Sequence, residues 1–246
     1  MIKIKNLTKI FQNPETDVLE GISLDIKKGE FVTFFGPNGC GKTTLFYIIA
    51  GLMEPTKGDV LINSNAPESS NTGFIFQNYS EALFPWRTVR QNIEFGLEIK
   101  GLKKGKRNEV SKELLKKTGL FEHRNKYTYQ LSGGEQQKVA IARALANNPD
   151  VILLDEPFSS LDYSTVREME MDLLSIWEKT GKTMLFVSHE VDEAVLLADK
   201  VVVLSGKPAR IKGIIRVNLP RPRNLDMMLS GEFFKIKNDV LRMFRK

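Results

Sequence analysis

Nine residues, Gly36-Pro37-Asn38-Gly39-Cys40-Gly41-Lys42-Thr43-Thr44, fit the phosphate-cradling pattern G-x-x-x-x-G-K-[ST] without a mismatch. Glycine lets a backbone curl until successive N–H groups face an anion. In that curl Lys42 reaches the β- and γ-phosphates of a nucleotide, and Thr43 offers a hydroxyl to Mg²⁺. Cys40 is the only cysteine, and the loop asks for its backbone rather than its thiol. The acids that could complete such chemistry are Asp155 and Glu156, which follow the apolar run Val151-Ile152-Leu153-Leu154. If that run is a strand, both carboxylates sit at its carboxyl end, where parallel α/β sheets bind ligands. Asp155 can then hold Mg²⁺, directly or through water, and Glu156 can act on the attacking water.

Two further residues stand in the same relation to apolar runs. Thr183–Val187 leads into Ser188-His189, so one of the two histidines falls at a strand end, where its imidazole could donate to a terminal phosphate. Taken alone, His189 reads as a structural histidine; His123, in a charged loop, has no functional reading. Thr72-Gly73-Phe74-Ile75-Phe76 leads into Gln77, a polar group that could reach the metal. A second anion-ready helix start appears in Leu131-Ser132-Gly133-Gly134-Glu135-Gln136, where Ser132 suits an N-cap and two glycines expose backbone N–H groups. Taken alone, an ordinary capped helix is the better reading; what changes this is that the first loop already serves the triphosphate, so a second phosphate-ready helix needs a separate explanation.

The elements that must position these groups are legible from periodicity. Phe31–Phe35 is a buried strand before the glycine loop, and Leu45, Ile48, Ile49 and Leu52 recur at helical spacing after it until Gly51 and Pro55. Ile2–Leu7 and Val18–Ile26 read as strands of a small antiparallel sheet, with Asn13-Pro14-Glu15 as their turn and Gly58–Asn63 as another short strand. Phe11, ending the first strand region, is either a core phenylalanine or a hydrophobic face for adenine. From about Glu81 to Asn148 the pattern is helical. Ser159-Ser160-Leu161-Asp162 then opens a helix whose stripe is Val166, Met169, Leu173, Leu174 and Trp177, read as core.

A chain of 246 residues, 41% hydrophobic and 27% charged, suffices for one large α/β core with an inserted subdomain. No run approaches the roughly 18 apolar residues that span a bilayer. Met1-Ile2-Lys3-Ile4-Lys5 alternates like a strand and lacks the apolar segment of a secretory signal, which predicts a cytosolic chain. The net charge of +6 is compatible with a solvated helical face, an anionic membrane surface or nucleic acid. Much of it lies in Lys100–Lys117 and from Arg221 to Lys246.

Taken together, these segments resemble the nucleotide-binding subunit of an ATP-binding cassette (ABC) transporter over nearly the whole length. The most specific match is Leu131–Gln136, the LSGG(x)Q signature that other P-loop ATPases lack. The resemblance implies a P-loop NTPase (RecA-like) core with an antiparallel β subdomain and an inserted helical subdomain: one domain, 1–246, with 1–80 and 149–246 as core and 81–148 as the helical part. It places Phe11, Gln77, Asp162 and His189 at the adenine-stacking aromatic, Q-loop, D-loop and switch histidine. It implies ATP and Mg²⁺, and a head-to-tail pair of subunits in which Ser132, Gly133, Gly134 and Asp162 of the partner subunit complete each site. Phe84-Pro85-Trp86 and Leu219-Pro220-Arg221-Pro222-Arg223 look like the nitrate/sulfonate/taurine import group. That group implies uptake of a small anionic solute, a membrane permease, an external solute-binding protein, no nucleic acid, and a peripheral place on the cytoplasmic membrane face. The rival reading is a soluble ABC ATPase acting on nucleic acid or the ribosome. The chain departs from the family at Phe11 (tyrosine in many members) and from the import group at Thr128 (usually proline) and Glu135 (commonly methionine).

Overall fold

The computed structural model describes residues 1–12, 15–159 and 161–245; Asn13 and Pro14 of the expected turn, and Ser160, lie outside them. In chain order the elements are β1 (Ile2–Gln12), β2 (Glu15–Ile26), β3 (Phe31–Phe35), α1 (Lys42–Ile49), β4 (Lys57–Ile62), β5 (Thr72–Ile75) and α2 (Tyr79–Ala82). They continue with α3 (Val89–Ile99), α4 (Lys104–Lys117), α5 (Gly133–Ala146), β6 (Val151–Asp155), α6 (Tyr163–Thr180), β7 (Thr183–Ser188), α7 (Val191–Leu197), β8 (Lys200–Leu204), β9 (Ile211–Arg216) and α8 (Gly231–Arg245). Among the described residues the strands form two sheets: an antiparallel one, β2-β1-β4, and a six-stranded one in the order β5-β6-β7-β3-β8-β9. In the larger sheet only β9 runs antiparallel to its neighbour.

The central strands are buried on both faces, so they read as unbroken apolar runs rather than alternating ones. Alternation survives in which core each side chain enters. Phe31 and Phe35 of β3 pack with the helices α3, α5, α6 and α7. Val32 and Phe34 pack on the other face with α1 and the small sheet. Phe34 meets Phe46 of α1 edge to face at 5.6 Å between ring centroids. This two-sided burial holds the ends of β3, β6 and β7 still. Their register places Phe35 beside Ser188 and Asp155 beside Val187, so three strand ends finish at one level.

Three expectations need correction. Leu52 is not on the helix stripe: α1 stops at Ile49 and Leu52 is 61% exposed. Phe76 lies beyond β5 and is exposed. Arg221 and Arg223 do not belong to a solvated basic tail. Arg223 is buried and donates to the carbonyls of Val195, Leu196, Ala198 and Val217, which satisfies the end of α7. Arg221 bonds Leu197 O and Asp199 and lies over the Trp177 ring. Part of the positive excess is therefore a structural clamp rather than a surface.

Candidate active site

Gly41 caps the N-terminus of α1 with φ 117°, and a Cβ there would stand 2.8 Å from Val18 Cγ1. Only glycine lets the loop lie this close to the antiparallel sheet. Lys42, next in the chain, is 4% exposed and bends back over the loop. Its Nζ donates to the carbonyls of Gly36 and Pro37, each at 3.1 Å, and lies 3.4 Å from Glu156 Oε1. Glu156 is a non-glycine residue at φ 45°, a strained conformation of the kind that collects at functional sites. Its other oxygen is 3.3 Å from His189 Nδ1. The carboxylate thus stands between the glycine-loop lysine and the histidine at the end of β7.

Asp155 is buried beside it. Burial pushes its carboxyl up, against a hydrogen bond from Thr43 that pulls it down. Its Oδ1 is buried without a hydrogen-bond partner, an arrangement that is costly unless something supplies a positive charge. A cavity of about 410 Å³ lies at the glycine loop, lined among others by Phe11, Gly39, Lys42, Thr43, Thr44 and Glu156; Asp155 lies behind its lining. The Lys9 ammonium sits 5.3 Å from the Phe11 ring centroid. Cys40 is buried, and burial pushes its thiol up, so it stays protonated and unreactive.

Residues 19–159 match the ABC transporter family. An uncharacterized ABC transporter ATP-binding protein of Methanocaldococcus jannaschii is 47% identical, over 99% of this chain and 91% of its own. An aliphatic sulfonates import ATP-binding protein of Bacillus cereus is 41% identical, covering 100% and 96%. The chain belongs to the ABC transporter family. Among solved structures, a dimeric ATP-binding cassette in a post-hydrolysis state, bound to ADP and Pi, superposes with a TM-score of 0.75 at 33% identity, covering 89% of this chain and 100% of that one. The fold is that of an ABC ATPase, and the chain is an ATP-binding ATPase.

Helix α5, which opens on the Leu131–Gln136 segment, starts with a capping box, as α3 does with Thr88 and Gln91. Ser132 caps α5 by accepting the Glu135 N–H at 3.3 Å, while Ser132 N–H donates to Glu135 Oε2 at 2.8 Å, a full capping box. Glu135, a departure from the import group, is thus the acid that closes the box, and His123 pairs with it at 3.1 Å. Gly133 is exposed, but Gly134 is buried, and a Cβ on it would press within 3.2 Å of Met169 Sδ on α6. Asp162 caps α6, accepting from Ser164, Thr165 Oγ1 and Thr165 N–H, which hold its carboxyl far below the usual range. Ser132, Gly133, Gly134 and Asp162 do not line the cavity at the glycine loop. Gln77 does not line it either; its Nε2 donates to Ser159 Oγ at 3.3 Å, just past Glu156.

Sequence reading missed Lys207 and Val18, which line the cavity together with the glycine loop. No motif marks Lys207, because it comes from the β8–β9 connection, remote in sequence from every other lining residue.

Proposed function

We propose that this chain is the ATP-hydrolysing subunit of an importer for a small anionic solute of the nitrate, sulfonate or taurine type. The observation that carries the chemistry is Glu156 held between Lys42 and His189. In this reading Phe11 stacks on adenine, the N–H groups of Gly36, Asn38, Gly39, Cys40 and Gly41 with Thr44 cradle the phosphates, Lys42 offsets their charge, and Glu156 polarises water while His189 holds the terminal phosphate. The donor set suits Mg²⁺: the unpartnered Asp155 Oδ1 and the Thr43 hydroxyl would hold it, with Gln77 at the rim. Bound there, the ion would neutralise charge developing on the phosphates.

Two copies would close head to tail, so that Ser132, Gly133, Gly134 and Asp162 of the partner subunit cover the nucleotide. The dimeric form of the ADP-bound neighbour supports this arrangement. The helices of 81–148 would move as a subdomain against the core of 1–80 and 149–246. None of the described helices is long and apolar enough to cross a membrane; in this reading a separate permease carries the solute. Trp86 is 71% exposed beside Phe84, which packs on Phe95, and forms an anchor for a permease helix. The subunit would then sit on the cytoplasmic face of the membrane, with an external solute-binding protein delivering the solute and no nucleic acid partner. Sulfonate import by a relative that spans the whole chain supports the solute class. Deleting the gene should abolish uptake of labelled taurine, alkanesulfonate or nitrate; unchanged uptake of all three would overturn the solute assignment.

A further inference from the structure

Two residues separate the end of β7 from the start of α7, and His189 is one of them. The turn is closed by a relay rather than by a simple cap. Glu190, the N-cap of α7, makes no side-chain cap bond, and its backbone N–H donates instead to Ser188 Oγ at 2.9 Å. Ser188 Oγ is in turn 2.6 Å from Glu193 Oε2 and 3.2 Å from Glu190 O. A carboxyl in the first turn of α7 therefore grips the residue immediately before His189. Glu193, Ser188, His189 and Glu156 line a single cavity of about 330 Å³.

We propose that Glu193 is a positioning residue for ATP hydrolysis: through Ser188 its carboxyl fixes the 188–190 turn and so sets the His189 imidazole against Glu156. The proposal rests on the reading of His189 as the group that holds the terminal phosphate. Among the described residues no lysine or arginine forms an ion pair with Glu193. On α6, Arg167 puts Nη1 2.8 Å from both oxygens of the buried Glu170. On α8, Lys237 pairs with Asp192 of α7 at 2.6 Å. What remains around Glu193 is Ser188 and His189 from the end of β7, with Glu170 and Glu190 as like charges. Burial, with Glu170 and Glu190 adding to it against Ser188 and His189, pushes the Glu193 carboxyl up to about 7.

The direction of the relay depends on that proton. Neutral Glu193 donates its O–H to Ser188 Oγ, which frees the serine hydroxyl to donate to Glu190 O. Ionised Glu193 can only accept, so Ser188 must turn its hydrogen to the carboxylate and Glu190 O loses a donor. The turn is held by one more hydrogen bond below the transition than above it.

The test is the steady-state ATPase of the full-length chain across pH 5.5–9 for wild type, Glu193→Gln, Glu193→Ala, Ser188→Ala and His189→Ala, with ATP binding and thermal melting alongside. Expected is a fall in kcat of about tenfold to a hundredfold for Glu193→Ala and Ser188→Ala, with KM for ATP within about twofold of wild type. Glu193→Gln, whose amide can donate to Ser188 as the neutral acid does, should recover most of kcat and lose the wild-type change near pH 7. If Glu193→Ala does not fold, the Glu193→Gln profile decides. A Glu193→Gln profile that superimposes on wild type overturns the proposal, as does wild-type kcat in a folded Glu193→Ala chain. Wild-type turnover in His189→Ala overturns the His189 reading and the proposal with it. Loss in His189→Ala beside wild-type kcat in Glu193→Ala overturns the proposal alone.

Discussion

Lys42 and Glu156 form an ion pair at 3.4 Å across the mouth of the glycine loop, joining the start of α1 to the end of β6. The pair sets up a competition, because an incoming triphosphate and Glu156 both call on one buried ammonium that also serves two loop carbonyls.

Glu156→Gln removes the charged competitor and the base together. Turnover should fall by about 10²–10⁴-fold while ATP affinity holds or tightens, and ATP should then stabilise a dimer. Isothermal titration and a single-turnover assay on the purified variant check both halves. Wild-type turnover would remove Glu156 from the mechanism.

A shared site predicts complementation. Lys42→Ala and Ser132→Arg chains, each inactive alone, should regain activity on mixing, since one of the two sites in the mixed pair is intact. The rate per chain should also fall on dilution without permease. A flat rate over a wide dilution series would contradict the pairing.

Trp86→Ala should leave nucleotide affinity and melting temperature unchanged but weaken binding to permease-containing membranes and abolish transport. An interface anchor of this size is worth about 2 kcal/mol or more. The ring is already exposed in the single chain, so its loss should not open the core. A sharp drop in melting temperature would show that it packs instead.

Lys207→Ala should raise Kd severalfold for ATP and ADP alike, because Lys207 lines the same cavity as Lys42, Thr43 and Thr44. Lys207→Arg should keep most of the affinity. Equal affinities for wild type and Lys207→Ala would show that the ammonium points to solvent.

What the sequence determined by itself is everything that short-range geometry dictates. The glycine loop with its flanking strand and helix, the acids after Leu154, the histidine after β7 and the capped signature helix each occupy a contiguous stretch, where spacing alone specifies a turn or a cap. The antiparallel sheet, the long helical insertion and the core stripe of α6 were legible for the same reason. Only the tertiary structure decided which of these groups meet. The order β6-β7-β3 and its register bring Glu156, His189 and Lys42 to one level, and no local pattern encodes the order of strands in a parallel sheet. The burial of Arg221 and Arg223 was illegible because composition cannot tell a charge facing water from one that satisfies the carbonyls of a distant helix end. Glu193 and Lys207 were missed for a related reason: each gains its meaning from a neighbour supplied by folding, Ser188 for the first and the wall of the cavity for the second.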